Sequence, residues 1–244
     1  MSADSPSPGL LHLQALFPLA LAQVQLPIDP LEVAMQMQAI RRLQGGARSN
    51  PSADCAWTGD LHGTWQLHRH PDFAALLDLL LGQAWAFVQE LGFDPSQVAL
   101  HLQRCWPVVS EPGQAVGRHH HPNAHLSGVY YLNGDGSGRT GCLRLFPPRQ
   151  SNELVPGLAV GHGGPLGGER AERWNAPWFD LAPRAGLLVL FPASVDHAVL
   201  ENADPQESRF SISFDLVLTA APARGGESPE YLAPHPADWQ AVES

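Results

Sequence analysis

RFSISFDLVL, residues 209–218, is the stretch on which the fold turns. Phe210, Ile212, Phe214 and Leu216 fall on one face of it, and Arg209, Ser211, Ser213 and Asp215 on the other. Strand side chains alternate with a period of two, so this pattern predicts a strand whose apolar side packs on a core. Working outward, VALHLQRCWPVV (98–109), LSGVYYLN (126–133), CLRLFPP (142–148), GLLVLFP (186–192) and HAVLEN (197–202) read as further strands, separated by Gly- and Pro-bearing turns. Residues 10–26 alternate loosely and suggest an early strand. Helices come before most of these strands. Asp29-Pro30 is an N-cap followed by proline at the first helical position, and PLEVAMQMQAIRRLQ runs from it to Gly45-Gly46. FAALLDLLLGQAWAFVQELG (73–92) is the second helix, with Asp72 as its expected cap and apolar residues around much of its circumference, which predicts deep burial. Helices first and six or more short strands after predict an α+β, mostly β domain: a β-sandwich or jelly roll with the N-terminal helices packed on one sheet.

Composition narrows the chemistry. The chain has 244 residues with 23 Gly and 23 Pro, which disfavours a bundle of long helices. It is expected to be one domain over 1–244, with tails at 1–9 and about 220–244 (Trp239 anchoring the latter) and a lid-like irregular loop at 149–182. The formal charge is −10 and all 14 basic residues are arginine. An acidic chain makes a poor nucleic-acid binder, and without lysine there is no Schiff-base or P-loop chemistry. Three cysteines without C-x-x-C spacing argue against a disulfide framework or a zinc knuckle. The apolar N-terminal stretch lacks a basic start and is broken by Pro18, so neither a signal peptide nor a membrane span is expected, and the expected compartment is cytoplasmic. Histidine stands out, at 12 residues, four of them between 119 and 125.

His119 and His121 stand two apart, so on extended chain both imidazoles can face one ion. His197 follows the strand that ends at Pro192, and Asp196 beside it is an alternative carboxylate ligand. Arg209-x-Ser211 places a guanidinium and a hydroxyl on one strand face, a pairing suited to gripping a carboxylate. Tyr131, sharing a face with Ser127 and Val129, can donate to the same group. Alone, each has an ordinary structural explanation: polar-loop histidines, a solvated strand face, a strand aromatic.

Together they match a known pattern. HHHPNAHLSGVYY (119–131) resembles the H-x-H-P-x-x-x-x-S-G-V-Y-Y signature of a 2-oxoglutarate/Fe(II)-dependent oxygenase family in the jelly-roll dioxygenase superfamily, and FPPR (146–149), LFPASVDH (190–197) and RFSISF (209–214) extend the likeness. The resemblance implies a double-stranded β-helix that binds Fe(II), 2-oxoglutarate and O2 and oxidises, most simply hydroxylates, a C–H bond. It implies His119, His121 and His197 as metal ligands, with Arg209, Ser211, Tyr131 and Ser127 around 2-oxoglutarate. His125, Trp106, Arg149, Trp174 and Trp178 become candidate substrate contacts. In the wider superfamily the second ligand is normally Asp or Glu, whereas this chain has His121 there. Three neutral ligands would leave iron more positive than two histidines and a carboxylate do.

Two rival readings stand beside this one. The first is a three-histidine, cupin-like dioxygenase that does without 2-oxoglutarate. The second is a non-catalytic jelly-roll module whose histidines bind metal structurally. The expected substrate is a small polar molecule or a peptidyl side chain, with neither nucleic acid nor membrane as partner and a homodimer as the default assembly.

Overall fold

The computed structural model describes residues 9, 15–46, 52–149, 152, 154, 174–222 and 232–242. Two antiparallel sheets face each other. The larger has six strands in the order β1 (Ala22–Gln25), β8 (Leu187–Pro192), β5 (Leu126–Tyr131), β10 (Arg209–Ala220), β3 (Val98–Ser110) and β2 (Trp57–Thr58). The smaller has four, ordered β4 (Val116–His119), β9 (His197–Val199), β6 (Leu143–Leu145) and β7 (Phe179–Leu181). Strands far apart in sequence lie side by side, as a double-stranded β-helix requires.

Helix α1 (Pro30–Gly45) starts as its sequence predicts, with the Asp29 carboxylate accepting the Leu31 N–H at 2.8 Å and Pro30 in the first turn. Helix α2 (Ala74–Glu90) begins differently. A short 3₁₀ turn, Pro71–Phe73, leads into it, and the cap of that turn is the His70 ring rather than Asp72. Asp72 lies inside the turn, its N–H already donated to His70, and so does not cap α2. Leu77, Leu80, Ala84, Phe87 and Val88 of α2 join Ala39 and Ile40 of α1 and the apolar face of β10 (Phe210, Ile212, Phe214 and Leu216) in one core. By length and composition Pro71–Glu90 could cross a membrane, but that packing is the behaviour of a core helix. Burial is one-sided: Leu79 is 54% exposed, so the broad apolar circumference does not translate into all-round packing.

A second core lies between the sheets, formed by Tyr131, Leu143, Leu145, Leu181, Val189, Phe191 and Val195. At Gly128 the alternation of β5 meets the Phe214 ring on its register neighbour, and a Cβ there would come within 2.2 Å of that ring. Glycine in SGVYY therefore lets a β10 aromatic fill the place of a side chain.

Several expectations need revision. Within the described part of residues 10–26 the strand is Ala22–Gln25; residues 10–14 of that expectation lie outside the described residues. β4 and β7 fall where loops were expected, because strands of four and three residues are too short to show an alternation. Trp239 is 56% exposed and does not anchor the C-terminal segment; Leu232 packs against the main core instead, and Ala220 donates its N–H to the Ala233 carbonyl at 2.8 Å. Much of the expected lid, residues 155–173, lies outside the described residues.

Gly128→Ala is expected to lower stability by about 1–3 kcal/mol, since the added methyl must displace the Phe214 ring. Urea unfolding checks this: the midpoint should fall while the slope stays unchanged.

Candidate metal centre and carboxylate pocket

β4 ends at His119, β9 begins at His197, and the two residues are register partners across the antiparallel pair. This pairing sets their ring centroids 4.2 Å apart. His121 follows two residues later, and its N–H donates to the Ala193 carbonyl at 3.0 Å, tying the segment to the end of β8. Its ring lies 5.2 Å from that of His119 and 5.0 Å from that of His197. The three residues can each offer one ligating atom, all within 4.8 Å of one another. His120 turns outward to Asp196 at 3.1 Å, and Arg118 grips the same carboxylate at 2.9 and 2.7 Å. Asp196 is thereby held in a surface ion network and is not part of the cluster, so the alternative that it supplies the carboxylate ligand falls away.

The hydrogen bonds orient all three rings alike. His119 Nδ1 lies 2.7 Å from the Gly117 carbonyl, His197 Nδ1 lies 2.9 Å from the Val195 carbonyl, and His121 Nδ1 lies 2.6 Å from Asp215 Oδ1. These oxygens only accept, which assigns the proton to Nδ1 in each ring and leaves the Nε2 lone pair free for a metal. Burial pushes the imidazolium pKa of His119 down and that of His197 down to about 3, the neighbouring histidines adding to the effect. Both rings are therefore neutral near pH 7 and ready to ligate. Three converging imidazoles suit a first-row transition metal, iron among them.

The other end of the cavity carries a charge without a partner. Arg209 is 1% exposed. Its Nη1 donates to the Thr140 and Gly141 carbonyls, both at 2.8 Å, and its Nη2 to Ser110 Oγ. Its Nε has no partner, and no carboxylate among the described residues pairs with it. Burial pulls its guanidinium below the ordinary arginine value. An isolated charge out of water is costly, and no counter-charge among the described residues offsets this one. Gly141 makes room for this side chain: it adopts φ +92°, and a Cβ there would sit 2.2 Å from the Leu200 carbonyl oxygen and 2.8 Å from Arg209 Nη1. Tyr131, its phenol pushed up to about 12 by burial, remains a proton donor beside it.

His119, His121, His197, Arg209, Ser211 and Tyr131 all line one cavity, closed by Val108, Val129, Leu143, Phe191 and Val199. Ser127 lines it too, but its hydroxyl is taken up by Asp215 at 2.8 Å and His121 at 2.9 Å, away from the Arg209 end. Trp106 also lines the cavity, its ring 5.7 Å from that of His121. The remaining substrate candidates stand elsewhere. His125 Nδ1 accepts the Leu218 N–H at 2.9 Å, Trp178 lies under the Arg144 guanidinium, and Arg149 and Trp174 do not line the cavity. Sequence reasoning placed Asp215 on the Arg209 face but did not recognise it as a site residue. It is fully buried, and Arg104 Nε holds its other oxygen at 2.7 Å. Burial alone would raise its carboxyl pKa, yet the hydrogen bonds from His121, Ser127 and Arg104 hold it below the ordinary value.

The depressed His197 pKa has a consequence for stability. Below about pH 6.5 the unfolded chain takes up a proton there that the folded metal-free protein refuses down to about 3. Stability conferred by the neutral ring is thus present above pH 6.5 and declines as pH falls through that window. Urea midpoints measured from pH 7 to 5 should fall, and His197→Gln should flatten the slope.

Comparisons with known proteins follow the same outline. No curated protein matches the chain in sequence. Among solved structures, the non-heme alpha-ketoglutarate-dependent epimerase SnoN from nogalamycin biosynthesis superposes with a TM-score of 0.57 at 18% identity, over 90% of this chain and 92% of that one. HygX from Streptomyces hygroscopicus, solved with nickel, 2-oxoglutarate and hygromycin B, gives 0.53 at 14% identity, over 82% and 83%. A prolyl hydroxylase from Trichoplax adhaerens, in complex with a hypoxia-inducible factor peptide fragment, gives 0.51 at 15% identity, over 81% and 83%. These likenesses establish the fold. The sequence itself matches a family model over residues 104–215, described as "Putative 2OG-Fe(II) oxygenase". That segment, which holds the three clustered histidines and the unpaired arginine, is therefore similar to the 2OG-Fe(II) oxygenase family model.

Proposed function

We propose that this protein is a 2-oxoglutarate- and Fe(II)-dependent dioxygenase that hydroxylates a C–H bond of a small polar molecule or a peptidyl side chain. The observation that carries this reading is the buried, uncompensated Arg209 at one end of a cavity whose other end is three imidazoles with Nδ1 already committed. His119, His121 and His197 would hold the iron through Nε2. Arg209 would take the distal carboxylate of 2-oxoglutarate, with Ser211 and Tyr131 as the neighbouring hydroxyls. When bound, iron and 2-oxoglutarate together supply the oxidising chemistry: O2 is consumed, one oxygen atom enters the substrate and the other enters succinate, and CO2 is released. The chain's own contribution is to fix the three rings, neutralise and orient the cosubstrate, and exclude water with the apolar walls from Val129, Leu143, Phe191 and Val199.

On the surface beside His119, a second, open pocket is lined by Arg118, His120, Pro122 and Asp196, charged and polar groups that suit a polar substrate. Neighbours in the fold are solved with ligands in the same range, HygX with hygromycin B and the prolyl hydroxylase with a peptide fragment. One observation favours the cupin-like rival that does without 2-oxoglutarate, namely the all-imidazole ligand set. That rival leaves Arg209 without an anion.

An anaerobic titration of the Fe(II)-loaded protein with 2-oxoglutarate tests the proposal. A visible charge-transfer band with one-to-one stoichiometry is expected, and its absence would favour the rival. Arg209→Ala should keep its iron and lose succinate formation by on the order of 100-fold or more, the scale of one buried charge-assisted contact of about 3 kcal/mol. His197→Ala should lose metal at neutral pH, read as iron content after desalting.

A further inference from the structure

The geometry points to Asp215 as the carboxylate of the metal site: a positioning residue that supplies, through His121 and one hydrogen bond removed from the ion, the negative charge missing from the ligand set. This rests on the three-histidine iron reading above and adds to it the group that sets the electronic character of the site.

Asp215 is fully buried and both its oxygens are engaged. Oδ1 accepts from His121 Nδ1 at 2.6 Å and from Ser127 Oγ at 2.8 Å, while Oδ2 accepts from Arg104 Nε at 2.7 Å. Sheet register builds these contacts, for Asp215 is the cross-strand partner of Ser127 on β5 and of Arg104 on β3. The other two rings are held differently. His119 and His197 donate to the neutral carbonyls of Gly117 and Val195. A carbonyl fixes a tautomer and little else. A carboxylate also draws the Nδ1 proton toward itself, and the opposite nitrogen becomes a more basic, partly anionic donor. His121 is thereby the one ligand of the three with anionic character, at the position where the superfamily normally carries Asp or Glu.

Arg104 tempers this charge. Its guanidinium lies over the Trp106 ring at 4.7 Å and also approaches Asp60 Oδ2 at 3.5 Å, so one cation is shared between two carboxylates. Asp60, Arg104 and Asp215 together carry a formal charge of minus one. That equals the charge of a single carboxylate ligand. The strength of His121 as a donor is therefore adjustable from two sides: removing the anion weakens it, and removing the cation strengthens it.

The test compares Asp215→Asn, Arg104→Gln and Ser127→Ala with wild type in the full chain. Two readouts are used: Co(II) affinity by competition with a chromogenic chelator, and the Fe(III)/Fe(II) midpoint potential by mediated titration. Asp215→Asn keeps an acceptor for Nδ1 but no charge, so Co(II) binding should weaken by about 10- to 100-fold and the potential should rise. Arg104→Gln should lower the potential. Ser127→Ala removes a neutral hydrogen bond to the same carboxylate and should shift both quantities less than Asp215→Asn does. A folded Asp215→Asn with wild-type affinity and potential overturns the proposal, as does a Ser127→Ala that matches Asp215→Asn on both readouts. Should Asp215→Asn fail to fold, Arg104→Gln decides, and a potential that does not fall overturns the proposal. Wild-type protein that takes up no Co(II), or His197→Ala that binds it undiminished, sinks the metal reading itself; failure of the Asp215 variants alone leaves that reading standing.

Discussion

A side chain on strand β10 can point only one of two ways, and the rest of the molecule is arranged around that restriction. On one side Phe210, Ile212, Phe214 and Leu216 meet the two helices and form the main core. On the other, Arg209, Ser211 and Ser213 line the cavity, and Asp215 lies beneath it against His121. Shifting the register of β10 by one residue would put a guanidinium and a carboxylate into the helix-facing core and four large apolar groups into the cavity. Neither arrangement is affordable, so the hydrophobic energy that folds the domain also sets the polar face in place.

The site joins the two sheets. His119 and His197 belong to the smaller sheet, as the end of β4 and the start of β9. His121 is fastened to the larger one, by its N–H to the Ala193 carbonyl beyond β8 and by its ring to Asp215 of β10. Arg209 sits at the opening of β10, braced by carbonyls of the connection that precedes β6. Its nearest polar contacts are uncharged, which is unusual for a cation removed from water.

Much of this was readable from residues alone, and the unreadable parts have physical reasons. Long alternating or helical stretches such as 98–109, 209–218 and the two helices show their period over enough residues to be recognised, and all four are present. The small sheet was half legible: β6 and β9 fall within stretches read as strands, whereas β4 and β7, of four and three residues, are too short to display a pattern and hold through cross-strand register. His119 and His121 could be paired from their spacing, and the resemblance to the oxygenase signature added His197 to them. Asp215 was on the correct face but silent, because its meaning depends on Ser127 and Arg104 being opposite it, and cross-strand register is not written in one strand. Asp196 invited attention by adjacency to His197, yet neighbours along a strand face opposite ways, and it pairs with Arg118 at the surface.

An ion held by rings from both sheets would also act as a rivet between them. Without it, the short strands carrying His119 and His197 rely on few ladder bonds and would open more readily than the six-stranded layer. A ligand that binds only the assembled state stabilises it in proportion to its free concentration. The cellular supply of iron would then govern how long each copy of the chain survives proteolysis, so that abundance as well as turnover would follow the metal.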